Sequence, residues 1–101
     1  MATSTKALFR GAATTTVGTT LYTVPSSTTT IVTNIAVTNT AGTAGTFTIG
    51  LAGTALHTTA AIAANSTAYI DLKQVLATTN VITGGASATS INFHISGIEV
   101  S

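Results

Sequence analysis

Apolar and polar residues alternate along most of the chain, most clearly over residues 28–39, where Ile31, Thr33, Ile35 and Val37 share one parity and Val32, Asn34, Ala36 and Thr38 the other. Successive side chains of a strand point to opposite faces, so this run predicts a long strand with Ile31, Ile35 and Val37 toward the core. Ahead of it, Thr20, Leu21, Tyr22, Thr23 and Val24 predict another strand, closed by the single proline, Pro25, and by Ser26 and Ser27. Two strands joined in this way form a hairpin or a corner where the chain changes sheets. Residues 40–45 hold turn residues without periodicity, after which Phe47, Ile49 and Leu51 alternate with Thr46, Thr48 and Gly50. Gly53 offers the next turn and residues 55–58 a short returning strand; residues 60–64 are assigned no element. Alternation resumes over 67–72, with Ala68, Ile70 and Leu72 on one side. Residues 73–76 read as a connecting turn, 79–83 as a strand around Val81 and Ile82, and Gly84 with Gly85 as a sharp break. In the last segment Ile91, Phe93 and Ile95 share one parity while Ile98 and Val100 take the other, a change of phase that predicts a β-bulge at Gly97.

Helix signals are nearly absent, because Thr, Val, Ile and Gly are all poorer helix formers than Ala or Leu. About seven or eight short strands, with turn signals every 8 to 12 residues or so, are the pattern of an all-β fold. The expected architecture is a single antiparallel β-sandwich, jelly-roll or immunoglobulin-like. Thr spacing is irregular, which argues against a repeat solenoid. A chain of 101 residues suffices for one core. Residues 18–101 are expected to form the sandwich domain, and residues 1–17 an N-terminal arm with room for a first short strand.

Composition changes the picture of the surface. Only 5% of residues are charged, against about 25% in an ordinary soluble protein. Threonine, about a quarter of the chain, covers the outside instead. A coat of hydroxyls and methyls with a formal net charge of +1 repels its neighbours weakly and favours association. Disorder is disfavoured, since disordered chains are poor in β-branched and aliphatic residues and rich in charge. There is no cysteine, hence no disulfide or thiolate chemistry. Residues 1–10 lack the apolar run of roughly 7 to 15 residues of a secretory signal, so synthesis and folding in a cytoplasm are expected. No apolar run approaches the roughly 20 residues of a membrane span, and a membrane is not expected as a partner. Asn65, Ser66 and Thr67 match a glycosylation sequon but read as a turn before a strand.

Any chemistry must come from Lys6, Arg10, Asp71, Lys73 and Glu99, with His57 and His94. Asp71 lies between Ile70 and Leu72, and Glu99 between Ile98 and Val100, so both carboxylates are expected to point outward and not to form an acid/base pair. No Gly-x-Ser-x-Gly elbow exposes a nucleophile. His57, His94 and Asp71 could complete a metal triad, but nothing in their spacing brings them together. The expectation is therefore no enzyme, no catalytic residue, no metal and no cofactor. Three Lys and Arg residues are too few to neutralise a nucleic-acid backbone. Lys6, Phe9 and Arg10 are the candidate partner-binding residues, on an arm whose deletion over residues 1–10 is expected to leave the sandwich folded and weaken attachment. Tyr22 and Tyr69 are the candidates for a carbohydrate platform, and packing against the core or a sheet face is expected of both.

Leu21, Tyr22, Thr23, Val24 and Pro25, then Ile31, Val32, Thr33, Asn34, Ile35, Ala36, Val37, Thr38 and Asn39, then Thr46, Phe47, Thr48 and Ile49, occur in an order that resembles small virion proteins of tailed bacteriophages. Residues 62–65 and 76–82 continue the likeness, which covers most of the chain from Leu21 onward and consists of sandwich residues without a chemical motif. The resemblance implies a capsid decoration, or cement, protein on the capsid surface of the virion, made in the host cytoplasm. It further implies two partners, the major capsid protein and copies of the chain itself in a homotrimer, bridging capsomers against internal DNA pressure. Related sandwiches occur in tails and fibres, so the alternative implied is a tail or fibre accessory module, an adhesin that binds a host surface glycan or receptor.

Overall fold

The computed structural model describes residues 3–101, which form eight strands: β1 (Thr3–Ala12), β2 (Thr20–Thr23), β3 (Thr29–Asn39), β4 (Gly45–Leu51), β5 (Thr54–Ile62), β6 (Ser66–Leu76), β7 (Val81–Ala86) and β8 (Ile91–Val100). They divide into sheet A, ordered β1-β8-β3-β6, and sheet B, ordered β2-β7-β4-β5. All neighbours are antiparallel. β1 pairs with β8, β2 with β7, β3 with β6 and β4 with β5, as if one long hairpin were rolled up so that its successive pairs fall alternately in the two sheets. That is the jelly roll, one of the two sandwich types the strand pattern allowed. The hairpin's tip is the two-residue connection of Ala52 and Gly53, both at positive φ (52° and 79°), the backbone sense that suits the twist of two strands joined by a tight turn.

Val32, Ile35, Val37, Ile49, Ile82 and Phe93 are fully buried between the sheets. The Phe47 and Phe93 rings meet edge to face at 6.4 Å. Each such side chain contributes about 1.5–3 kcal/mol by leaving water. Asn39 is the buried amide of the core's end: its side chain donates to the Thr43 and Ala63 carbonyls and accepts from the Ala41 N–H, tying two loops together.

The expected phase of β3 is half right. Ile35 and Val37 face the core, but in the first half of the strand Thr30 and Val32 are buried and Ile31 faces out. The cause is a register shift between Val32 and Asn34, where Thr33 is an extra residue. β1 carries the same irregularity between Ala7 and Phe9, where Leu8 is extra. The β3 irregularity lies opposite the step from Ser96 to Gly97 on β8 and that of β1 opposite the step from Ile95 to Ser96, while β8 is itself regular. The bulge expected at Gly97 thus sits in both neighbours instead. Gly97 is buried in unbroken alternation with Ile91, Phe93 and Ile95, and a Cβ there would lie 2.5 Å from the Ile31 carbonyl oxygen and 2.8 Å from Leu8 Cδ1. Its missing side chain is the space Leu8 occupies. Ile98 and Val100 look like a phase change only because they are apolar residues on the outer face.

Three other elements exceed the expected bounds. β5 runs on to Ile62, past Thr59 at a φ of 48°, because residues 60–62 pair with residues 45–47 of β4. β6 continues through 73–76, where a turn was expected, pairing with the start of β3. Gly84 and Gly85 are strand residues of β7 rather than a break: Gly84 makes room for Leu21, and a Cβ on Gly85 would stand 2.5 Å from the Thr16 carbonyl oxygen. That contact also shows where the chain goes after β1. Residues 13–19 cross to sheet B, with the Ala86 and Gly84 N–H groups donating to the Thr14 and Thr19 carbonyls. The expected arm is, from Thr3 onward, an edge strand and a crossing loop of the sandwich.

Candidate functional site

The five charged side chains lie on β1 (Lys6, Arg10), β6 (Asp71, Lys73) and β8 (Glu99), all in sheet A. Sheet B carries none. This partition divides the surface into two unlike faces and one polar seam between them.

The outer face of sheet A is laid out in rows fixed by the strand register. One row is apolar: Val75, Ile31 and Ile98, ending at Thr5 on β1. Val75 is 67% exposed, and neither Ile31 nor Ile98 belongs to the core. The next row reads Asp71, Asn34, Ser96 and Ala7, and the one after it Tyr69, Ala36, His94 and Arg10. Tyr69 is 74% exposed, so the packing expected of it is not found; it stands on the outer face of an edge strand with nothing from the described residues above it. Asn34 Nδ2 donates to Asp71 Oδ1 at 3.2 Å. The bulges of β1 and β3 open a hollow in this face, bordered by Lys6, Ala7, Arg10, Thr33, Ser96 and Ile98.

At the seam, Glu99 turns inward, opposite Thr30 of β3, and its side chain is only 16% exposed. The outward carboxylate expected here is corrected by the regular phase of β8. Tyr22, from sheet B, donates its phenol proton to Glu99 Oε2. A phenol has one proton to give, so Thr30 Oγ1, 2.9 Å away, is the donor to the Tyr22 oxygen. Lys6 Nζ completes the group 3.5 Å from the same carboxylate oxygen. Burial, and after it the hydrogen bond to Glu99, raise the Tyr22 phenol above its ordinary pKa of 10.0. The cluster is a tie between the sheets. Its single carboxylate is already engaged by a phenol and an ammonium.

The outer face of sheet B is built of small residues: Thr46, Thr48, Gly50, Ala55, Ala61 and Thr83 occupy its outward positions on β4, β5 and β7. At one margin the loop over Gly85 is knotted by its own threonines, with Thr19 Oγ1 donating to the Thr16 carbonyl and the Thr14 and Thr19 hydroxyls 2.7 Å apart. Val17, half exposed, projects from that loop.

Of the candidate partner-binding residues, Phe9 packs against the core, Lys6 is held by Glu99, and Arg10 alone presents a side chain to solvent without an ion-pair partner among the described residues. Lys6 and Arg10 both border the hollow of the outer face of sheet A, while Phe9, next to the bulge at Leu8, turns toward the core. Asp71 and His94 share the outer face of sheet A, while His57 lies in sheet B against Phe47, ring centroids 5.7 Å apart. Among the described residues no three His, Cys, Asp or Glu side chains gather as metal ligands would. The threonine face and the exposed Tyr69 are what sequence reasoning missed. Odd parity from Tyr69 to Val75, opposite half-buried Ile70 and Leu72, is the signal that marks Tyr69 as outward.

No protein-family model matches the chain, and no curated protein matches its sequence.

Proposed function

We propose that the chain is a structural protein of a tailed-bacteriophage virion, a capsid decoration protein that binds the major capsid protein of the assembled head through the outer face of sheet B. The observation that carries this reading is the absence of charged side chains from that sheet. Burying such a face strips water from hydroxyls, methyls and backbone edges, and spares the several kcal/mol that each buried, unpaired ion costs. Short side chains also lose little rotamer freedom when they are immobilised. A protein that binds the assembled shell and not its free subunits stabilises that shell by mass action, with no catalytic group required. The order of strand residues from Leu21 onward supports the same reading, through its likeness to small virion proteins.

Separating virions into heads and tails tests it. The protein is expected on heads, at a copy number that follows the capsid lattice, and heads stripped of it are expected to lose DNA more readily on heating. Recovery from tails alone would overturn the proposal. A second reading, a tail or fibre module that binds a host glycan, draws on one feature: Tyr69 stands exposed beside Asp71 and Asn34, an aromatic ring with a carboxylate and an amide. Glycan binding by the purified chain that is lost in Tyr69→Ala would favour it.

A further inference from the structure

We infer that two copies of the chain pair through the outer face of sheet A about a two-fold axis that runs parallel to the strands, between β8 and β3. This goes beyond attachment to a shell, which uses the opposite face, and it differs in stoichiometry from the trimer that the resemblance implies. The inference comes from the register. Such an axis lays β1 of one copy over β6 of the other and β8 over β3, with each row superposed on itself in reverse.

Each row then meets a complement. In the apolar row, Ile98 falls on Ile31 of the second copy and Ile31 on its Ile98, while Val75 falls on Thr5. In the next row Asp71 falls on Ala7, at the border of the hollow opened by the bulges, with Arg10 as its diagonal neighbour. In the third, Tyr69 covers Arg10 and His94 lies over Ala36. A guanidinium under an aromatic face and beside a carboxylate is a favourable setting for both partners. Asp71 meets no cation of its own chain among the described residues, and Arg10 is equally unpaired, so the two charges are complementary only between copies. The two-fold axis makes every such contact twice. It also covers Tyr69 and Val75, two of the three large apolar side chains that are exposed among the described residues.

Four strands of about ten residues make a face of roughly 33 × 19 Å. This is somewhat below the about 800 Å² per partner of a standard interface, so the pair is expected to form with a dissociation constant in the micromolar range. Sedimentation equilibrium of the purified full chain over a concentration series is the test. The expected mass rises from the 10.0 kDa of one chain to twice that value. Arg10→Asp and Asp71→Arg should each hold the chain at the single mass, while the double variant, which exchanges the charges across the axis, should restore pairing. Both side chains are exposed, so the thermal midpoints of all three variants should match that of the parent, and a folded monomeric single variant is readable as such. Thr46→Ala, on the opposite face of the sandwich, should pair as the parent does. A single-chain mass up to about 1 mM, where a micromolar pair is saturated, would overturn the inference, as would a three-chain mass or a double variant as monomeric as its parents. A monomer that binds glycans through Tyr69 would overturn it too, and would assign this face to a carbohydrate.

Discussion

Sheet A and sheet B have four antiparallel strands each, yet sheet A holds every charged side chain and sheet B holds none. The difference follows the edges. Sheet A ends in two long strands, β1 with ten residues and β6 with eleven. A long free edge is a template for unwanted pairing unless charge or irregularity blunts it, and both edges carry charges and a break in register. In sheet B the edge strand β2 is four residues long, and β5 is interrupted at Thr59. Such edges are protected by shortness and irregular backbone, so the sheet can do without charge. The charge-poor composition is therefore not spread evenly: it leaves the outer face of one sheet without a charged side chain.

Removing part of sheet A is expected to have the largest effect. Deleting residues 1–10 was expected from sequence to spare the fold. The structure argues the reverse, since the deletion takes most of β1, with buried Leu8 and half-buried Phe9. At about 1.5–3 kcal/mol for each buried side chain, against a typical stability of about 5–15 kcal/mol, the truncated chain is expected to melt far below the parent or not cooperatively at all, as circular dichroism would record. An unchanged melting point would mean that sheet A does not need its edge strand.

A smaller effect separates the two close-packed glycines. Gly97→Ala drives a methyl into the Ile31 carbonyl and Leu8 in the middle of sheet A, where three strands fix the backbone. A loss of about 1–3 kcal/mol is expected in urea unfolding. Gly85→Ala meets the Thr16 carbonyl of a loop that can lift, so sheet B should lose less. Equal losses would show that the loop is as rigid as the sheet.

A comparable or smaller change concerns the tie between the sheets. Tyr22→Phe removes the phenol that joins sheet B to Glu99 and Thr30, for about 1.5–3 kcal/mol at most in a bond to a charged group and less where water can replace it. The pH dependence has a definite sign. Because the phenol's pKa is raised in the folded protein from 10.0, its contribution is complete below that value and is lost as the pH climbs through the higher folded value. Melting temperature should therefore fall more steeply above about pH 10 in the parent than in Tyr22→Phe. Parallel curves would contradict this.

Much of the fold was legible because alternation is local. Ile35, Val37, Phe47, Ile49, Phe93 and Ile95 were all assignable to the core from parity alone. What misled the reading was non-local. Ile31 and Val32 exchange roles because Thr33 is extra relative to β8, more than 60 residues away in sequence, and no window of sequence contains that fact. Gly84 and Gly85 resemble a break until Leu21 and Thr16 are seen to fill the space beside them. Glu99 looks outward between two aliphatic residues, and only the regular phase of β8 turns it in. The division of charge between the sheets is hidden for the same reason. It depends on β1, β6 and β8 sharing a sheet, which is a property of the rolled hairpin and not of any stretch of residues.

The uncharged face of sheet B is the proposed surface of attachment. Binding of purified protein to heads stripped of it, measured for Thr46→Lys and Thr83→Lys on that face and for Thr67→Lys on the outer face of sheet A, tests it most directly. Both sheet B variants are expected to stay folded and lose most of their affinity, because each carries an ion into a contact with nothing to pair it, while Thr67→Lys binds as the parent does. Sheet B variants that bind normally, with binding lost on sheet A instead, would contradict the account.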